Sequence, residues 1–207
     1  FKPKFKHIFS KSRTINWLSV ARLFLFGSRD VWFVVALPVY LQAVLGWDYL
    51  EVGGFLALWI IIYGFIQSLT PYVTGVNAGK IPGRSAVLLW ALILALIPAG
   101  IVASFYLTDS AQIAIVLGLF LYAIVFAINS SIHSFLIVSY AKHDQVSLDV
   151  GFYYMSNAAG RLLGTVLSGL VYQVAGLGAC LLISFLFVLL AFVASLRLPY
   201  ENSLSTS

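Results

Sequence analysis

Long apolar stretches alternate with short polar breaks along most of the chain. The breaks collect Gly, Pro and charged residues, which interrupt helices and favour loops. A helix that crosses a bilayer needs about 20 predominantly apolar residues. The uncharged run from Leu162 to Leu196 is too long for one crossing, so Gly176 and Gly178 are predicted to mark a tight reversal. The pattern therefore predicts six transmembrane helices, at residues 15–45, 52–76, 85–107, 112–139, 150–174 and 177–196.

The composition supports an all-α integral membrane protein. Of the 207 residues, 61% are hydrophobic and 9% are charged, whereas a soluble domain carries about 25% charged residues. Cys180 stands alone in an apolar run, so the sequence has neither a disulfide framework nor a CxxC motif. The net charge of +5 fits basic loops beside anionic lipid headgroups, and we do not interpret it as a sign of nucleic-acid binding.

The loops between the predicted helices differ in charge from one side to the other. The loops on one side contain Asp48, Glu51 and Asp109 and no basic residue. The basic residues on the other side are Lys2, Lys4, Lys6, Lys11, Arg13, Lys80, Arg84, Lys142 and Arg197. Because cytoplasmic loops are rich in Lys and Arg, both ends are expected in the cytoplasm. Residues 1–14 are predicted to be a basic linker, 15–198 the six-helix domain in the inner (plasma) membrane, and 199–207 a cytoplasmic tail.

Four Arg, Lys, Asp or Glu residues fall inside the predicted helices: Arg22, Arg29, Asp30 and Arg161. Such residues are costly in a bilayer and suggest a functional role by default. Arg22 and Arg29 are two helical turns apart and share a face. Arg29 and Asp30 are adjacent and point about 100° apart on a helix, so they are not expected to pair. Asp30 should instead engage a group on another helix and leave an arginine uncompensated.

Other polar side chains concentrate on particular helices. In the fifth predicted helix Gly160, Gly164 and Ser168 recur every four residues, a seam that allows another helix to approach closely. The second predicted helix contains Gln67, followed by Pro71, which is expected to kink or end it. Side chains that could face one cavity are Tyr154, Asn157 and Arg161 in the fifth helix, and Asn129 and His133 in the fourth.

The third and sixth predicted helices contain no charged, Asn, Gln or His residue and read as scaffold or lipid-facing helices. Polar residues thus fall on the first two helices of each group of three. A repeated three-helix arrangement of this kind is typical of inverted-repeat transporters.

The loop PYVTGVNAGKIPGR resembles the loop motif G-x-x-x-D-R-x-G-R-R of the major facilitator superfamily. Gly75, Lys80 and Arg84 match it, while Gly79 replaces its acidic residue and Pro82 its later glycine. A gating salt bridge through that acidic residue is therefore not expected. The resemblance implies the C-terminal six-helix half, a 3+3 inverted repeat, of a 12-helix transporter. Its partner would be an N-terminal six-helix half of the same polypeptide.

Three segments resemble the ArsJ-type organoarsenical efflux permeases: ARLFLFGSRDVWFVVALPVYL (21–41), VGGFLALWIIIYG (52–64) and GFYYMSNAAGRLLGTVLSGL (151–170). The resemblance implies a secondary active antiporter that exports 1-arseno-3-phosphoglycerate and so confers arsenic resistance. It also implies a functional partnership with a glyceraldehyde-3-phosphate dehydrogenase, which makes that compound.

The residues themselves indicate only a preference for anions, because one guanidinium group can bind two oxygens of a phosphate-like or carboxylate group in a bidentate manner. We expect Arg29 and Arg161 to hold the anion and Arg22 to assist at the cytoplasmic mouth. Asp30 is expected to compete with the substrate for an arginine, so that binding frees or protonates it. The remaining expected contacts to the anion are Asn157, Tyr154, Asn129, His133 and Gln67.

Structural alternatives apply to most of these residues. Arg29 and Asp30 could fix helix registry, and Arg22 could snorkel to the cytoplasmic interface. Asn129 and Asn157 could hydrogen-bond between helices, and His133 could be a packed polar residue.

Other classes of protein fit the sequence less well. An intramembrane serine protease is disfavoured, because no His follows the loop residue His143 and no Ser lies in a G-x-S-x-G-like setting. No HExxH or other metal-ligand spacing occurs, so neither an enzyme, a metal site nor a cofactor is expected. The open alternatives are a transporter of another small anionic metabolite or drug, and a non-transporting membrane scaffold.

Overall fold

Helices make up all the regular secondary structure of the residues that the structure, a computed structural model, describes: 12–74, 76, 82–107, 111–141 and 146–199. Gly75 and Lys80 of the predicted loop motif lie outside these ranges, and Arg84 begins a helix. The helices are α1 (Arg13–Phe33), α2 (Ala36–Ala43), α3 (Tyr49–Val73), α4 (Arg84–Leu107), α5 (Ala111–Tyr140) and α6 (Val146–Ser195).

Four of these helices are long and apolar enough to cross a membrane, counting only the described residues: α3, α4, α6 and Gln112–Tyr140 of α5. This helix content indicates a membrane protein. α1, which carries the intramembrane arginines predicted from the sequence, is not among the four. The predicted boundaries 52–76, 85–107 and 112–139 agree with α3, α4 and α5 to within three residues at each end.

The first predicted helix, 15–45, is wrong as a single element, because the chain breaks at Val34 and Val35 between α1 and α2. Pro38 explains the break, since it has no N–H for the Val34 carbonyl and its ring crowds that oxygen. The Ser168 hydroxyl on α6 accepts hydrogen bonds from the N–H groups of Val35 at 3.3 Å and Ala36 at 3.0 Å. The free backbone donors at the break are therefore satisfied from another helix.

A reversal at Gly176 divides α6 into two arms, which we call the N-terminal arm (146–175) and the C-terminal arm (177–195). Gly176 has φ 73° and ψ −173°, outside the helical region. A Cβ placed on Gly27 of α1 would lie 3.0 Å from the Phe187 ring and 3.1 Å from the Gly160 carbonyl oxygen. In an uninterrupted helix residues 160 and 187 would be roughly 40 Å apart. The predicted reversal at Gly176 is confirmed.

The predicted seam of small residues is also confirmed, and it packs the N-terminal arm of α6 against α1. A Cβ on Gly160 would collide with the backbone carbonyl of Leu23, and one on Gly164 would come within 2.7 Å of the Gly27 carbonyl oxygen. The contacts advance in the same direction along both helices, so α1 and this arm are parallel. The close approach brings the α6 side chain at position 161 next to Asp30.

α5 connects this pair to α3 and α4. The Trp59 indole of α3 donates to the Leu119 carbonyl oxygen at 2.8 Å, and the Asn129 amide donates to the Trp90 carbonyl oxygen of α4 at 2.9 Å. In the most apolar stretch of α4, 44% of the residues are buried, against 11% for α3. The described residues thus cover α4 more fully than α3, which leaves most of its surface uncovered.

Candidate anion-binding site

A buried carboxylate bound by two guanidinium groups forms the first polar cluster. Asp30 Oδ1 accepts from Arg29 Nε at 2.6 Å and lies 2.5 Å from Arg29 Nη2, and Asp30 Oδ2 accepts from Arg161 Nε at 3.1 Å. The exposed fraction is 1% for Asp30, 12% for Arg29 and 55% for Arg161. The seam of small residues makes this meeting possible, because it lets α6 approach α1 at Gly164.

The expectation that adjacent Arg29 and Asp30 would not pair is wrong. The Arg side chain is long enough to turn back to its neighbour even though the two Cα–Cβ bonds diverge. Little water competes for a carboxylate that is almost fully buried, so the nearest cation is held strongly. The second half of the expectation is confirmed, since Asp30 also engages Arg161 on another helix.

One carboxylate between two guanidinium groups leaves this cluster with a net charge of +1. Arg161 carries that surplus toward a face of the N-terminal arm that the described residues do not cover. Tyr154 is exposed one and a half to two turns earlier on the same arm, and half-buried Asn157 lies between them. The arrangement offers an anion one accessible guanidinium group and neighbouring hydrogen-bond donors.

Arg22 belongs to a second cluster, in which four helices meet. Its Nε donates to Asn157 Oδ1 of α6 at 3.2 Å, and its Nη1 donates to the Ser130 carbonyl oxygen of α5 at 2.9 Å and to Ser130 Oγ at 3.3 Å. Tyr63 of α3 donates to the same Ser130 Oγ at 3.3 Å. Arg22 is only 4% exposed, so it neither snorkels nor lies at an open cytoplasmic mouth.

The Phe26 ring contacts an arginine of each cluster. The Arg22 guanidinium carbon lies 3.9 Å from the ring centroid and the Arg29 guanidinium carbon 5.2 Å from it. Arg22 also lies 5.0 Å from the Tyr153 ring, and Arg29 lies 5.4 Å from the Phe126 ring. Aromatic faces attract cations more strongly where water is excluded, so these rings help to hold the arginines in the low-dielectric interior.

The other predicted contacts divide between the clusters or fall outside both. His133 is buried, and its Nδ1 has no hydrogen-bond partner among the described residues. Asn129 donates to Trp90 of α4 and to Val125 of its own helix, which is the interhelical role given above as the alternative. Gln67 is half-buried on α3, and no hydrogen bond of the described chain joins it to Arg22, Arg29 or Arg161.

Five residues that contact the arginines or their partners were absent from the sequence-based prediction: Phe26, Phe126, Tyr153, Ser130 and Tyr63. Phe26 could have been found, because it lies four residues after Arg22 and three before Arg29, on the face that both share. Ser130 and Tyr63 carry no comparable signal, since Ser and Tyr occur throughout the apolar runs.

No protein-family model matches the sequence, and no curated protein matches it. The geometry of the two clusters is therefore the basis for assigning a function.

Proposed function

We propose that the chain is one six-helix half of a major facilitator superfamily transporter that exports a small organic anion by alternating access. The observation that carries the anion preference is the Asp30 cluster, in which one buried carboxylate faces two guanidinium groups. Transporters of this type place substrate sites near the bilayer midplane on residues that would otherwise be costly there. The division of polar residues among the helices supports the same architecture.

The two ion pairs of Asp30 suggest how an anion binds. Arg29 is nearly buried and holds Oδ1, whereas Arg161 is more than half exposed and holds only Oδ2. An anion arriving from the open face would take Arg161, and Asp30 would keep Arg29 as its counter-ion. Asp30 therefore keeps a counter-ion throughout, which limits the cost of the exchange in a low-dielectric site.

The resemblance to ArsJ-type permeases suggests 1-arseno-3-phosphoglycerate as the substrate and arsenic resistance as the role. The oxygens of its phosphate and arsenate groups have the geometry for bidentate hydrogen bonds from a guanidinium group. A glyceraldehyde-3-phosphate dehydrogenase would supply this compound. In this proposal the protein lies in the inner membrane with both ends of the chain in the cytoplasm and works by antiport without a cofactor.

The test is transport by the polypeptide that joins this chain to its other half, reconstituted in proteoliposomes loaded with labelled 3-phosphoglycerate as a stable probe. Arg161→Gln should lower the initial efflux rate at subsaturating probe by at least about tenfold, since a charge-assisted hydrogen bond contributes roughly 1.5–3 kcal/mol. Arg197→Gln is the matched control, because Arg197 lies beside the Trp17 ring and belongs to neither cluster.

Wild-type flux in Arg161→Gln at equal protein level would reject the assignment of Arg161. A wild-type protein that moves neither 3-phosphoglycerate nor, in cells, the arsenate-derived product would instead favour the two alternatives, a transporter of another small anion or drug and a non-transporting scaffold. The second measurement is arsenate resistance of cells that express the transporter together with the dehydrogenase.

A further inference from the structure

Arg22 is a buried cation without a counter-ion in the described part of the chain. No carboxylate among the described residues lies within ion-pair distance of Arg22. Its hydrogen bonds go to neutral oxygens of Asn157 and Ser130. An intramembrane Arg with only neutral partners is costly and usually marks an ion or substrate pathway.

A second observation points to a ligand at this position. His133 lies one turn after Ser130, which accepts hydrogen bonds from Arg22, and is 2% exposed. Its Nδ1 is buried without a hydrogen-bond partner among the described residues. Buried polar atoms are nearly always paired, and an exception calls for an explanation. An oxyanion would satisfy both an uncompensated guanidinium group and an unpartnered imidazole nitrogen one helical turn along the same wall.

The Phe26 ring lies against both cationic clusters. It contacts the guanidinium groups of Arg22 and Arg29, and it is itself buried. Each cluster has a net charge of +1, one from Arg22 and the other from Arg29 and Arg161 together after Asp30 is counted. Two positively charged positions therefore adjoin one buried aromatic side chain.

We propose that Arg22, His133, Ser130 and Asn157 form a second, inner binding position for the oxyanion group of the transported substrate, distinct from the outer position at Arg161 and Arg29. The ligand class is a phosphate-like or carboxylate anion. This inference rests on the proposed transport function and adds that the anion passes between two cationic positions. The alternative role of Arg22 is to tie four helices together, and the variants that follow distinguish the two roles.

The experiment separates occupancy of the outer position from transport. Ala158→Cys places a reporter thiol on the exposed face, one turn before Arg161. Occupancy is measured as the protection of this thiol from a maleimide by 3-phosphoglycerate. Cys180 is buried, and any other cysteine of the polypeptide is replaced. Flux of 3-phosphoglycerate is measured in proteoliposomes of the same protein. Arg22→Gln should keep the half-protecting concentration within about twofold of wild type and lower the flux at least tenfold.

His133→Asp covers the case in which Arg22→Gln fails to fold. The new carboxylate supplies Arg22 with an internal counter-ion and so occupies the inner position. We expect an equal or higher unfolding temperature, unchanged protection at Ala158→Cys, and flux lowered at least tenfold. Arg197→Gln should match wild type in all three measurements.

Two outcomes would overturn the inner position. Wild-type flux in Arg22→Gln or His133→Asp, with or without a lowered unfolding temperature, would leave Arg22 a helix tie that serves stability. Equal loss of protection and flux in both variants would merge Arg22 into the outer position. Failure of the proposed function has a different result, since wild type itself would then show neither protection nor flux.

Discussion

The carboxylate of Asp30 is shared unequally at the scale of single residues. The hydrogen bond from Arg29 is 2.6 Å long and joins two side chains that are largely shielded from water. The hydrogen bond from Arg161 is longer, at 3.1 Å, and the Arg161 side chain is more than half exposed. Exposed ion pairs contribute little because water and salt screen them. Pairs that are buried are costly to break from one side, since the other charge is left alone. The unequal environments make Arg161 the arginine that an anion can take.

Removing the carboxylate should therefore destabilise the protein far more than removing Arg161. Asp30→Asn leaves Arg29 without its counter-ion and is expected to cost about 3–5 kcal/mol, the usual range for breaking a buried pair. Arg161→Gln leaves Asp30 paired with Arg29 and should cost about 1 kcal/mol or less. Thermal unfolding in detergent, followed by tryptophan fluorescence, measures both. Equal shifts in unfolding temperature would mean that the two pairs contribute alike.

At the scale of elements, hydrogen bonds from backbone N–H groups at the α1–α2 break help to join α1 and α2 to α6. The break caused by Pro38 frees N–H groups in the buried interior of the bundle, where an unsatisfied group is costly. Ser168 accepts two of them, and it continues the Gly160 and Gly164 seam by which α6 packs on α1. One serine thus joins the close helix packing to the break between α1 and α2.

Ser168→Ala should loosen the break while leaving the seam intact. Without the hydroxyl, the N–H groups of Val35 and Ala36 lose their acceptor, at an expected cost of about 1–3 kcal/mol. Hydrogen exchange should show faster exchange at these two amides. Ser139→Ala is the control, because Ser139 bonds only the Phe135 carbonyl of its own helix and is exposed. Unchanged protection at Val35 and Ala36 in Ser168→Ala would contradict the role of the hydroxyl.

The apolar runs were sufficient to predict α3, α4 and α5, because each run is bounded by Gly, Pro or charged residues. The break at Val34 and Val35 was missed, since no polar residue marks it and Pro38 alone carries the signal. The four-residue spacing of Gly160, Gly164 and Ser168 predicted a close helix contact but not its partner. Side-chain reach, as in the Arg29–Asp30 pair, does not follow from helical angles alone.

The whole molecule has the polarity of a protein that sits in hydrocarbon. Three of its charged and amide side chains, Arg22, Asp30 and Asn129, are buried, while α3 exposes large apolar side chains such as Ile61 and Phe65. In lipid there is no hydrophobic drive to cover such surfaces. Hydrogen bonds and ion pairs between helices in the interior then determine much of the specificity of packing. Both cationic clusters are made of such interactions.

The orientation of this bundle can be tested with two matched cysteines. Tyr49 and Val146 begin α3 and α6, and both are exposed. The asymmetry of Lys and Arg predicts that Tyr49 faces outward and Val146 the cytoplasm. In intact cells a membrane-impermeant maleimide should label Tyr49→Cys, and should label Val146→Cys only after permeabilisation. Native Cys180 is buried and should give no background. Labelling of Val146→Cys in intact cells, with Tyr49→Cys unlabelled, would contradict the orientation predicted from the loop charges and place both ends of the chain outside the cell.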